Sequence, residues 1–128
     1  MPLKQGDKDR RELVKNTTVK GRLRAVLDNA RIRSKVKNWP FDLTLEFLCR
    51  MYEDQCGLCA LTGEVLELKA DKKVRSSNLV SLDRLDNKKG YTKDNVWLVT
   101  SRANYSRGPM SVTEYIELCS NVVQRLGK

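Results

Sequence analysis

A chain of 128 residues suits a single domain with one modest core. Its composition, 40% apolar and 32% charged, is that of an ordinary globular protein, and no apolar run approaches the ~20 residues of a membrane helix. The complete absence of histidine excludes Ser-His-Asp hydrolases, His-ligated zinc fingers and HExxH metalloproteases, and no glycine-rich phosphate loop is present.

The formal charge of +9 is unevenly placed: residues 1–40 hold 12 Lys/Arg and 4 Asp/Glu, whereas the remainder is close to balanced. An excess serving solubility alone would be spread over the surface. Its concentration in one segment predicts a polyanionic partner, and nucleic acid is the natural one. The amino terminus lacks the apolar stretch of a secretory signal, so a cytoplasmic protein is expected. Disulfides are uncommon there, and Cys49, Cys56, Cys59 and Cys119 are expected to be thiols.

In chain order, residues 1–17 are polar and basic and are expected to form a flexible leading segment. Residues 18–128 are expected to form one domain. A helix over 18–37 is predicted by Leu23, Val26, Leu27 and Ala30 at helical spacing, with Arg22, Arg24, Arg31, Arg33, Lys35 and Lys37 elsewhere around it. Such a helix packs by its apolar stripe while its basic side tracks a phosphate backbone. Asn38-Trp39-Pro40 ends it, because a residue before proline is pushed out of the helical region.

Thr44 caps a short helix reaching about Asp54, with Leu45, Leu48 and Tyr52 facing inward. Cys56 to Leu66 reads as a tight turn around Thr62-Gly63 with short flanking strands, and Lys69 to Ser77 as a charged loop. Asn78 to Leu85 alternates as a strand, and Asp86 to Asp94 is a turn-rich loop. A helix from about Asp94 to Tyr105 follows, stopped by Gly108-Pro109. The last helix, over 111–126, opens with a capping box of Ser111 and Glu114. Its stripe of Val112, Tyr115, Ile116, Cys119, Val122, Val123 and Leu126 is expected to close the core. No stripe marks a subunit interface, so a monomer is the default.

The informative stretch is SLDRLDNKKGYTKDNVWLVTSRANYSR, residues 81–107. Together with CGLC at 56–59, NARIRSKVKNWPFDLTLE, CALTG and a terminal EYIELC, it resembles the HNH endonucleases, and within them the phage and mobile-element branch whose strand reads Asp-Arg in place of Asp-His. The likeness spans roughly residues 25–125. It implies an α+β fold: a small ββα-metal core over about 56–107 with flanking helices.

The resemblance also implies a site. Asp83 and Asn104 would be the ligands of one Mg²⁺ or Mn²⁺, whose open positions suit a scissile phosphate. Asn95 would brace the loop and Arg107 would supply a basic contact. Lys88 and Lys89 would join the basic helix in binding double-stranded DNA. Arg84 stands where histidine ordinarily activates water; a guanidinium cannot accept a proton, though it can grip phosphate. Asp86, Tyr91, a nearby lysine or solvent hydroxide would then take the base's part, and cleavage should accelerate toward alkaline pH. Thr100 and Ala103 stand where a second pair of zinc cysteines would be, so a knuckle of the usual kind cannot form. Cys49 and Cys119 could complete a rearranged zinc site with Cys56 and Cys59, but buried cysteines acting as small apolar residues are the expected outcome. The enzyme reading has a rival in a catalytically silent HNH-fold module that binds DNA, and behind it an RNA-binding accessory protein.

Overall fold

The computed structural model describes residues 18–69 and 77–127. The expected flexible segment 1–17 and most of the charged loop after Lys69 lie outside the described residues. What is described is a mixed α+β fold, with helices packed on a small antiparallel sheet.

Helix α1, Val19–Lys37, starts where Thr18 Oγ1 accepts from the Gly21 amide. It stops one step earlier than the proline alone would require, because Asn38 takes a left-handed conformation (φ 57°) and donates its N–H to Lys35 and Ser34 carbonyls. Asparagine tolerates that conformation through its short polar side chain. Leu23, Val26, Leu27 and Ala30 are buried as the spacing predicts. Helix α2, Leu45–Asp54, is capped by Thr44 and buries Leu48 completely. The following turn pairs Leu58 with Val65, and Gln55 ties it to the sheet through both the N–H and the C=O of Leu98.

Strand β1, Val80–Arg84, pairs antiparallel with β2, Val96–Thr100, in the register Val80↔Thr100 to Arg84↔Val96. Here the structure corrects the helix expected from about Asp94. Val96-Trp97-Leu98-Val99-Thr100 is a strand, and only Ser101–Arg107 forms helix α3. Three of the five strand residues are β-branched and a fourth is tryptophan, side chains that fit a pleated surface and lose χ1 freedom in a helix. Thr100 ends the strand and caps α3, its Oγ1 accepting from the Ala103 amide. The chain therefore runs strand, loop, strand, helix.

Helix α4, Val112–Leu126, carries the expected capping box, with Ser111 and Glu114 bonded in both directions. It does not close the core. None of its residues is buried, and Ile116, Leu118, Val122, Val123 and Leu126 are all exposed. The core is complete without it. Leu23 and Leu27 of α1, Leu48 of α2, and Val80, Leu98 and Val99 of the sheet fill one another's space.

Candidate functional site

The loop between the strands, residues 85–95, is held by one buried side chain. Asn95 accepts from the Asp86 amide (2.9 Å) and donates to the Asp86 and Gly90 carbonyls (3.1 and 2.9 Å). Asn95 thus braces the loop as expected, from the foot of β2 rather than from the start of a helix. The Tyr91 amide bonds the Pro40 carbonyl, and a Cβ on Gly90 would collide with that same oxygen. Only glycine lets the loop lie this close to the 40–42 segment.

This bracing sets Arg84 and Tyr91 on one wall of a cleft of about 320 Å³, which Asp83, Asn87, Asn104 and Arg33 also line. Arg84 Nη1 donates to the Asn87 and Lys89 carbonyls (2.8 and 3.0 Å), and its guanidinium stacks 3.9 Å from the Trp39 ring centre. Arg84 is therefore a rigid part of the wall. Its Nε and Nη2 make no hydrogen bond among the described residues, which leaves the two-pronged edge that suits a phosphate. Arg33 Nη1 donates to the Tyr91 hydroxyl (3.1 Å).

Among the described residues Asp83 is the only carboxylate lining this cleft, and it is 6% exposed. Arg107 Nη2 contacts both of its oxygens (2.8 and 2.9 Å), and Trp97, its cross-strand neighbour, donates Nε1 to Oδ2 (2.9 Å). Arg107, expected among the DNA contacts, is instead fully buried. It bonds Asp83 and the carbonyls of Arg84 (2.6 Å) and Met110 (2.8 Å). No pattern of spacing could reveal this, since burial of an arginine depends on the carboxylate that meets it.

Asn104 donates to Ser81 Oγ (3.1 Å), and its Oδ1 makes no hydrogen bond among the described residues. Asp83 and Asn104 come together on the cleft; Asp86 does not. Its exposed carboxylate accepts from the Lys88 amide in a tight turn and lines a different cavity, with Lys88 and Glu114. Lys88 and Lys89 are exposed on the loop rim.

The basic residues of α1 divide. At about 100° per residue, Arg22 and Arg33 fall on one flank of the buried stripe and Arg24, Arg31 and Lys35 on the other. Arg31 pairs with Asp28 (3.4 Å) and stacks on Phe41, while Arg24, Lys35 and Lys37 are exposed. Arg22 and Arg33, with Asn29, Ser81 and Asn104, line a second cleft of about 170 Å³ that adjoins the first. Burial pushes the Arg22 guanidinium below its ordinary value. It has no acidic partner among the described residues, only a 3.4 Å contact to the Val80 carbonyl, and its Nε is buried and unpaired. This half-buried, uncompensated cation was not distinguishable in sequence from its five basic neighbours.

A carboxylate oxygen and an amide oxygen on a cleft walled by arginines fit a hard, oxygen-seeking cation such as Mg²⁺ or Mn²⁺, which draws its remaining ligands from water and phosphate. Among the described residues no three His, Cys, Asp or Glu side chains come together. Cys59 lies in the core, where its sulfur accepts from the Thr100 amide (3.3 Å), while Cys119 is exposed on α4. That hydrogen bond joins the turn to the end of β2. Burial pushes the Cys59 thiol up, but hydrogen bonds from the Thr62 hydroxyl and the Thr100, Thr62 and Leu61 backbone outweigh it and bring the thiol below its ordinary value.

Among the described residues no helix is long and apolar enough to cross a membrane. Comparison with protein-family models, with characterised proteins and with solved structures finds no match to this chain.

Proposed function

We propose that this protein binds double-stranded DNA and hydrolyses its phosphodiester backbone with the help of a divalent cation, as an HNH-type endonuclease or nickase of the phage or mobile-element kind. The observation that carries the reading is the shared cleft, which Asp83 and Asn104 line together with Arg33 and Arg84. Arg33 and Arg84 line the cleft with a single carboxylate among the described residues, Asp83, which Arg107 already pairs from beneath, so the cleft is net positive and suits a phosphodiester.

Asp83 and Asn104 are the residues that would hold Mg²⁺ or Mn²⁺. Bound there, the cation would offset charge on the scissile phosphate and ease departure of the 3′ oxygen. Arg84 presents its free edge to a non-bridging oxygen, and stacking on Trp39 prevents it from swinging away. Arg107 and Trp97 fix the Asp83 carboxylate in one orientation. Asp86 lines a different cavity, so water activation falls to the Tyr91 hydroxyl, a nearby lysine or hydroxide from solvent. Arg22 and Arg33 extend the grip to the neighbouring phosphate.

The test is nicking of supercoiled plasmid in Mg²⁺ or Mn²⁺, with Asp83→Asn and Asn104→Ala alongside. Asparagine is the better substitution at 83 because it can still accept from Arg107. Metal-dependent nicking lost in both folded variants supports the enzyme, and undiminished nicking in them refutes the assignment. The ion pair that occupies both Asp83 oxygens favours a second reading, a catalytically silent DNA-binding module. Salt-sensitive DNA binding with no nicking in any metal would establish that one.

A further inference from the structure

Helix α1 wears its charges at the edges of its exposed side rather than in the middle. On a solvated helix the charged residues lie farthest from the core. Here they border the buried stripe, with Arg22 and Arg33 on one flank and Arg24, Arg31 and Lys35 on the other. At helical spacing the arc that faces away from the core, between the two flanks, carries Ala25, Asn29, Ile32 and Val36. Ile32 is 61% exposed and Val36 76%. Asn29 is exposed too, and its amide has no partner among the described residues. The helix's single acid, Asp28, is paired with Arg31.

Two rows of like charge repel a second copy of this helix. Two large apolar side chains beside an asparagine are too little for a lipid surface, which takes a continuous apolar face. Duplex DNA has the complementary pattern. Two phosphate backbones border a major groove about 12 Å wide, and base edges and thymine methyls line its floor. An α-helix with its side chains is about 10–12 Å across and fills that groove. The two rows also match in length, since Arg22 to Arg33 and Arg24 to Lys35 both cover about 16 Å of helix. Arg24 and Lys35 are exposed, with no ion pair among the described residues.

We infer that α1 lies in the major groove as a sequence-reading helix, with its two basic rows on the two backbones and Asn29, Ile32 and Val36 against base edges. The inference rests on the proposed DNA binding and adds to it a source of sequence preference. An asparagine amide can bond both N6 and N7 of adenine, and apolar side chains meet the thymine methyl, so the face selects A·T pairs. Arg22 and Arg33 also line the clefts that hold Asn104, and Arg33 reaches the cleft of Asp83. The backbone they grip is therefore the one that enters the cleavage site, and the bases read lie beside the scissile phosphate. Arg24 and Lys35, on the flank away from the clefts, hold the opposite strand.

The test is selection of bound duplexes from a random-sequence library by the full chain in EDTA. Binding is read without metal, so a protein that never cuts DNA can still pass it. The chain should select a site containing A·T pairs. Asn29→Ala should lose the preference for one adenine, roughly ten-fold in affinity, while binding unselected duplex as before. Replacing the matching thymines by deoxyuridine, which lacks the methyl, should weaken binding several-fold. Arg24→Ala and Lys35→Ala should each weaken binding evenly across sequences and lower the salt slope by about 1. All three side chains are solvent-facing, so the variants should melt with the parent. Methylation of guanine N7, in the major groove, should block binding. Interference confined to adenine N3, in the minor groove, would overturn the inference. So would an unchanged selected site in Asn29→Ala, or unchanged affinity in both Arg24→Ala and Lys35→Ala. Binding to phosphatidylserine vesicles that Ile32→Ser with Val36→Ser abolishes, with DNA binding intact, would assign the face to lipid and overturn it as well.

Discussion

The buried pair of Asp83 and Arg107 lends itself to a quantitative test. Arg107→Met keeps the stem but strands a carboxylate that is 6% exposed and leaves the Arg84 and Met110 carbonyls short of a donor. Removing one member of a buried ion pair costs about 3–5 kcal/mol. That is a large share of the ~5–15 kcal/mol a small domain has in hand. Asp83→Leu strands the guanidinium instead, at similar cost. The double variant removes both charges and leaves only neutral groups unmatched, Trp97 Nε1 and the two carbonyls. Its cost should therefore fall short of the summed single costs by about 2–3 kcal/mol. Urea unfolding followed by tryptophan fluorescence reads all four proteins, and Trp97, bonded to Asp83, lies at the point of change. Single costs below about 1 kcal/mol that simply add would refute the claim that this pair holds the cleft together.

Arg22→Met should leave the fold as stable or slightly more so, since it removes a half-buried cation with no acidic partner, yet weaken DNA binding and lower the salt slope by about 1. Loss of stability with unchanged DNA affinity would show that Arg22 is structural. Asn95→Ala should cost about 2–4 kcal/mol, because three backbone groups of the loop lose their partner, and should abolish nicking even at temperatures where the variant is folded. Cys59 ionises more readily in the fold than in the unfolded chain. Its contribution to stability should grow as pH rises from its native value to the ordinary thiol value near ~8.5 and vanish as pH falls below the native one. A Cys59→Ser variant should lack that rise in chemical-denaturation profiles. Cleavage should accelerate toward alkaline pH, because the chain has no histidine and no free carboxylate among the described residues lines the cleft, and a flat or acid-favouring profile would identify another base.

The amino-acid sequence by itself determined what depends on a few adjacent residues. Thr18, Thr44 and Ser111 with Glu114 start their helices where their side chains can satisfy free amides, and the apolar spacing of 19–37 selects its buried stripe. Asn95 was legible only through the family resemblance, which put a loop-bracing asparagine at that position. Tertiary structure decided the rest. Val96–Thr100 has the β-branched residues of a strand, but that weak local preference is realised only where β1 lies beside it and takes up its amides and carbonyls. Arg107 and Asp83 lie 24 residues apart, and only the turn from β2 into α3 brings them to 2.8 Å, converting an expected DNA contact into a buried strut. Arg22 and Arg24 read alike in sequence, but a helix turn of about 200° between them sends one to the cleft and the other to solvent. The stripe of α4 is the sharpest case. Periodicity says that a face is apolar, but what covers it depends on how much core the other elements have already filled, and here α1, α2 and the sheet leave it outside.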